Sequence, residues 1–353
     1  MKYIKYLFAY ISVGLGFFGV WIGGWGAWLI PVYAFVAIPA VELLLEGSKY
    51  NLDQSTEKTL EKDRVFDWMV YLIVPLQFYI VLLTCYQLSV KPDRPWWEIL
   101  GFIFTAGIAC GVFGINVAHE LGHRTKKYEQ FLSKALLLTS LYMHFFIEHN
   151  RGHHNRVSTD DDPASSRLNE PLYVFWGRSV ILGYVSAWKL EAFRLKKMGR
   201  SALSLYNEMI WYTVIEATWV VGIAWFFGFT VMWYFLGMAT VGFLLLETVN
   251  YIEHYGLRRQ KGEHGYHKVL PVHSWNSNHP LGRMILFELS RHSDHHFRAN
   301  RKYQILRYHE DSPQMPTGYP GMMVLSLVPP LWFKVMNPRV KQLQEKYEEK
   351  LAA

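Results

Sequence analysis

Cysteine is nearly missing from this chain: there are two among 353 residues, Cys85 and Cys110. Each lies inside an apolar run, and neither spacing nor context suggests a disulfide or a zinc site, so both read as small buried hydrophobes. The same scarcity excludes an iron–sulfur cluster or a Cys-x-x-Cys iron site. A nucleic-acid module is also missing, so the formal charge of +7 is no sign of nucleic acid. The amino terminus, Met1-Lys2-Tyr3-Ile4-Lys5, lacks a convincing small-residue cleavage site; it reads as a retained membrane helix and not a cleaved signal. Neither an internal repeat nor a low-complexity linker is found.

What the chain has is apolar length. Hydrophobic residues make up 51% and aromatics 16%. A spanning helix needs about 20 apolar residues. Six candidates emerge, at about 6–23, 25–45, 68–90, 96–118, 212–227 and 231–251. Spans one and two, and five and six, are joined by such short turns that each pair reads as a tight helical hairpin. The stretches facing the other side carry almost no Lys or Arg. Nearly all basic residues fall in the N-terminal tip and in 47–67, 119–206 and 253–353. The positive-inside rule then places both termini in the cytoplasm of a cell inner membrane, with catalytic parts at about 119–210 and 252–353. The expectation is a single all-α integral membrane domain over 1–353: six transmembrane helices with a cytoplasmic histidine-rich part. Residues 131–147 are apolar but short, and read as a re-entrant or surface-lying helix. Residues 322–336, broken by Pro329-Pro330, read as an interfacial piece, and the tail from Pro338 as a solvated helix. Gly14, Gly16 and Gly19 match a G-x-G-x-x-G string, but no strand precedes them, so they read as a helix-packing face.

Histidine is concentrated where those runs end. Four short motifs hold nine imidazoles: His119 and His123; His149, His153 and His154; His254; and His292, His295 and His296. His119 and His123 are four apart, which on a helix puts both rings on one face, where they can share a metal. His149 and His153 repeat that spacing, and His292, His295 and His296 form an i, i+3, i+4 face. Taken alone, His119-Glu120-Leu121-Gly122-His123 is the H-E-x-x-H of zinc peptidases, in which the Glu activates water. A catalytic zinc uses three protein ligands, however, and nine imidazoles suit two metal ions; paired iron would open oxygen chemistry on a lipid-soluble substrate. Glu120, Glu148, Glu253 and Asp294 each adjoin a motif and are candidates to accept an outer ring N–H and fix the tautomer. His144, His264, His267 and His309 read as surface or packing residues; His273 and His279 flank a polar segment that would support the site.

These motifs, in this order, resemble those of the membrane-bound non-haem di-iron alkane 1-monooxygenases. His119–His123, Glu148–His154 and Leu289–His296 are similar to three histidine boxes of that family. Asn250-Tyr251-Ile252-Glu253-His254-Tyr255-Gly256-Leu257 looks like its signature. The segments 162–167, 273–279 and 316–321 also resemble it. Ser290 stands where Gln is common and Arg124 where Lys is common, neither at a ligand position. The resemblance implies two iron ions held by the nine histidines, terminal hydroxylation of alkanes by O2, and electrons from a rubredoxin and its NAD(P)H-dependent reductase. A xylene-type hydroxylase or a fatty-acyl desaturase shares the histidine-box plan, and a zinc peptidase using His119, Glu120 and His123 is the rival of different class. An alkane offers nothing polar to hold, so a narrow apolar cavity between the spans must orient it. Ala34 or its neighbours on the second span would limit chain length. Arg258, Arg259, Lys261, Arg298, Arg301 and Lys302 would attract an acidic electron donor.

Overall fold

The computed structural model describes residues 2–263 and 265–352. It is mostly helical; among the described residues the one sheet is a hairpin of two-residue strands, Lys261–Gly262 with Gly265–Tyr266. His264 lies outside the described residues.

Six helices are long and apolar enough to cross a membrane: Ile4–Ile22, Gly24–Glu42, Arg64–Val90, Trp96–Gly122, Glu208–Phe227 and Phe229–His254. They match the six apolar runs, with informative shifts at the ends. Spans four and six run past their apolar stretches, and their last turns carry His119 and His254. Hydropathy marks where lipid stops. The helix continues because its backbone hydrogen bonds do not depend on side-chain polarity.

Small residues draw the central spans together. A methyl group at Gly107 would lie 2.5 Å from Val241 Cβ, and one at Gly242 would lie 2.7 Å from Cys110 Cβ. Spans four and six therefore approach closely, as small residues permit inside a membrane. The glycine-rich string of span one packs in the same way at Gly16, against Ile80, and at Gly19, against the Gly26 carbonyl, whereas Gly14 meets nothing.

Three departures from the sequence expectations bear on the site. Residues 131–147 are not one helix: Lys127–Leu138 ends before Leu141, which takes a left-handed φ of 51°, and a new helix starts at Phe145. A 26-residue helix, Leu172–Lys197, was not foreseen, because its charged and apolar residues mix along the sequence. The tail is one helix, Pro329–Ala352, with Pro338 inside it. From Pro338 on it is not wholly solvated, for Val340 is fully buried, as are Trp332 and Met336 on the turns before it.

Candidate metal centre

Four elements bring the imidazoles to one level of the bundle. Span four ends in His119, with His123 capping it; the segment Glu148–His153 follows the turn at 141; span six ends in His254; and the short helix His292–Phe297 closes the site. The nine rings fall into two groups. His119, His123, His149, His154 and His295 form one; His153, His254, His292 and His296 form the other. Within each group one ligand atom per ring lies within 4.8 Å of every other.

The grouping cuts across the sequence motifs. His149 and His153, four apart, do not share a group; His149 pairs with His154, five apart, their Nε2 atoms 3.0 Å from each other. The reason is local. Glu148–His153 is π-helical, with i→i+5 hydrogen bonds, so residues five apart return to the same face. His292 and His296 keep the α spacing in one group, while His295 between them reaches the other.

The nitrogen spacing fits metal ions. In the larger group, Nε2 of His149 lies 3.1 Å from that of His123, and Nε2 of His154 lies 3.1 Å from that of His295. In the smaller group the corresponding spacings are 3.3 Å for His153 with His296 and 3.4 Å for His292 with His254. Ligands about 2.1 Å from a shared ion stand about 3.0–3.4 Å apart in octahedral or tetrahedral arrangements. His119 Nε2 is buried and accepts or donates no hydrogen bond, which is what a ring nitrogen reserved for a cation would show. The rings are also in the right protonation state. Burial first, and then the neighbouring imidazoles, push His149, His154, His292, His295 and His296 well below the usual histidine range, and push His123 down to about 3. A shift in this direction favours the neutral ring, the form that binds a metal.

His153 differs. Burial would lower it, but Asp162 raises it: the Asp162 Oδ2 lies 2.9 Å from its Nδ1, and the Asp162 carboxyl is itself held down at about 2 against the cost of burial. Asp162 therefore plays the part expected of the four carboxylates that adjoin the motifs. Those four are placed otherwise. Glu120 accepts from the Arg124 guanidinium and the Tyr303 N–H, Glu148 from Arg156, and Asp294 from Arg301, His309 and the Arg307 N–H. None of these three hydrogen-bonds a ring of either group; a guanidinium close by in space outcompetes an imidazole close by in sequence. Glu253 does reach a ring, but on its inner side: its Oε2 is 3.1 Å from His292 Nε2, and its Oε1 accepts from Tyr319 Oη at 2.7 Å. Asp162 lies nine residues from His153, so no local pattern singles it out; only the 162–167 segment hinted at it.

His309 is no idle surface residue, since it holds Asp294 at 2.7 Å. His144 is buried against Tyr142. The carbonyl of His273 accepts from Ser158 Oγ, and His279 Nδ1 lies 3.0 Å from Ser277 Oγ, so both brace the polar segment between them.

An apolar cavity ends on the histidines. Its empty volume, counted out to the mouth, is about 1020 Å³. Ile30, Tyr33, Ala34, Phe35, Phe113 and Leu245 line its length, and His119, His149, His292 and Glu253 stand at its polar end. Ala34, Phe35, Leu245, Val249 and Met323 on its wall remain partly exposed, so it opens on the apolar flank of spans two and six. Two further π-helical turns, Tyr33–Ala37 and Cys110–Ile115, lie on this wall; such turns widen a helix and commonly mark functional sites.

Comparison with known proteins agrees with this geometry. The fatty acid desaturase family model matches residues 95–326. The chain is 40% identical over 316 residues to alkane 1-monooxygenase 2 of Pseudomonas aeruginosa, covering 89% of this chain and 84% of that one. It is 37% identical to alkane 1-monooxygenase 1 of the same organism, covering all of this chain and 94% of the relative. Identity falls to 24% with the xylene/toluene monooxygenase hydroxylase component of Pseudomonas putida, over 98% of this chain and 91% of the relative.

Proposed function

This chain belongs to the alkane 1-monooxygenase family, and from that premise we propose that it hydroxylates the terminal carbon of alkanes to give primary alcohols. In this reading two non-haem iron ions are held, one by His119, His123, His149, His154 and His295, the other by His153, His254, His292 and His296. When bound, the iron pair supplies the activation of O2 for insertion into a C–H bond. The chain's own residues hold the ions, exclude water and present one end of the substrate. The observation that carries the proposal is the apolar cavity that ends on rings of both groups.

The cavity wall does the orienting. Each buried CH2 contributes about 0.8 kcal/mol, so an eight-carbon chain gains about 6 kcal/mol along such a wall. An alkane entering from the lipid flank reaches the histidines with its methyl group first, which favours the terminal carbon. The peptidase reading loses its base, because Glu120 is tied to Arg124 and Tyr303.

The electrons come from rubredoxin and its NAD(P)H-dependent reductase, since the chain holds no redox centre of the cysteine type. The docking face is smaller than the basic sequence suggests. Arg301 is held by Asp294, Lys302 by Asp67, and Arg259 is buried with its guanidinium on the Asn155 carbonyl. Lys261 and Arg298 remain exposed for an acidic donor. The charge rule sets the histidines and both termini on the cytoplasmic side of the inner membrane.

The test is reconstitution: full-length protein in lipid, loaded with iron, given rubredoxin, reductase, NADH and octane. The expected product is 1-octanol, with about two irons per chain. One zinc and no alcohol would overturn the reading; turnover of xylene or an acyl thioester in preference to octane would redirect it within the histidine-box enzymes. Ala34→Trp, on the cavity wall, should shift products toward shorter alkanes, measured by competition among alkanes of graded length; an unchanged profile removes Ala34 from the length-setting role.

A further inference from the structure

A second cavity meets the histidines from another direction. It is small; beside Phe145, Pro163 and Ala164 its wall carries the polar side chains of Tyr142, Glu148, Ser179, Glu247 and Asn250, with one ring from each group, His149 and His153. About 20 Å³ of it is open to a water molecule, enough for one. Asn250 and His149 line both this cavity and the apolar one, so they stand at the partition between them.

Glu247 is the unexplained residue here. It is buried near the end of span six. Its Oε1 accepts from Tyr142 Oη at 2.7 Å, and its Oε2 accepts from Ser179 Oγ at 2.5 Å and from Asn250 Nδ2 at 3.3 Å. All three donors are neutral, and no cation bonds it among the described residues. An acidic side chain inside an apolar span without a cation is costly and ordinarily marks function. Three hydrogen bonds would tie span six to the turn at 141 and to the helix Leu172–Lys197 equally well from a glutamine. Only a carboxylic acid can also take up and release a proton. The other titratable groups facing this cavity are Tyr142, His144, Glu148, His149 and His153. Beyond them lies the way out: Glu148 is bonded at 2.7 Å to Arg156, whose side chain is 29% exposed.

The chemistry needs such a route. Hydroxylation by O2 balances as RH + O2 + 2 e− + 2 H+ → ROH + H2O, with both electrons from the protein donor. The two protons have to enter a site whose other cavity is apolar and filled by the alkane. We propose that Glu247 is a proton relay, fed by water from the Glu148–Arg156 side and held in position by Tyr142, Ser179 and Asn250, serving the oxygen atom that leaves as water. Alkane and protons thus reach the histidines by separate cavities. The inference rests on the monooxygenase reading above.

The test uses the full-length, iron-loaded chain in lipid with rubredoxin, reductase, NADH and octane. In Glu247→Gln, kcat should fall on the order of 10²-fold, the usual worth of a positioned proton donor. KM for octane, iron per chain and Tm should stay at wild-type values, and the solvent deuterium effect on kcat should grow. Glu247→Asp should restore part of the rate. If Glu247→Gln does not fold or loses iron, Tyr142→Phe and Ser179→Ala take its place, each expected to lower kcat with iron retained. A wild-type protein that makes no alcohol would fail the underlying reading. A working wild type whose Glu247→Gln variant keeps its kcat and isotope effect would fail the relay alone. So would a loss of iron or Tm in Tyr142→Phe and Ser179→Ala as well, which would reduce Glu247 and its partners to a structural tie.

Discussion

The two histidine groups are built from the same donor and differ in the acidic side chains beside them. Five imidazoles make up the larger group, and among the described residues no carboxylate bonds any of their rings. Four make up the smaller, and two carboxylates attend it: Asp162 behind His153 and Glu253 against the inner nitrogen of His292. A dication in the first group would keep its full charge, balanced only by ring dipoles. In the second, much of that charge would be met within a few ångströms. Carboxylates near an ion favour its higher oxidation state and raise the basicity of the rings they touch. The comparison teaches that equal ligand type need not mean equal ions: the smaller group is suited to hold the more oxidised member of a pair.

The heaviest blow to this comparison is removal of an inner ligand from one group at a time. His149→Ala and His292→Ala should each lower alcohol formation by at least about 10³-fold, since losing an inner ligand exceeds the 10–100-fold typical of its outer partner. Iron per chain should halve in each, with the surviving ion giving a different Mössbauer signal in the two variants. Identical signals would erase the distinction drawn here.

A lighter change separates the groups without removing a ligand. Asp162→Asn should weaken metal binding 10–100-fold in the four-histidine group alone. Chelator titration would then become biphasic, one ion lost early and one on the wild-type schedule. Loss of both ions together would mean the groups are not independent.

The smallest effect on the metal is expected at Asp294, which adjoins His295 in sequence yet bonds no ring of either group. Asp294→Asn should leave iron content unchanged and cost about 3 kcal/mol of stability, as for a broken buried ion pair. Burial would raise this carboxyl, but His309, the Arg307 N–H and Arg301 hold it below its usual value. Its stabilisation is therefore complete above the ordinary aspartate pKa near ~4, and is lost as pH falls through the lower folded value. Melting curves of wild type and variant should stand apart at pH 7 and converge below about pH 4. A constant gap across that range would assign the loss to shape and not charge.

The sequence was readable where the signal was local. The six spans were legible because long, predominantly apolar runs have few other uses. The nine imidazoles were legible because they crowd at span ends. The partners of Glu120, Glu148 and Asp294 were less legible: whether a carboxylate turns to a ring or to Arg124, Arg156 or Arg301, four to eight residues on, depends on how the chain turns between them. Glu247 was passed over as one more residue of a span, although an acid among Leu244, Leu245, Leu246 and Thr248 carries its own signal.

Residue order alone determined that the chain would cross a membrane six times and bring imidazoles to the ends of its spans, because hydropathy and helical spacing act over a few turns of one segment. Which rings stand together was decided only in three dimensions. A π turn at Glu148–His153 sends His153 away from His149, and His295 and His296 diverge from one short helix into different groups. Backbone pitch and the meeting of distant segments set those partnerships, and neither is written in the spacing of the histidines.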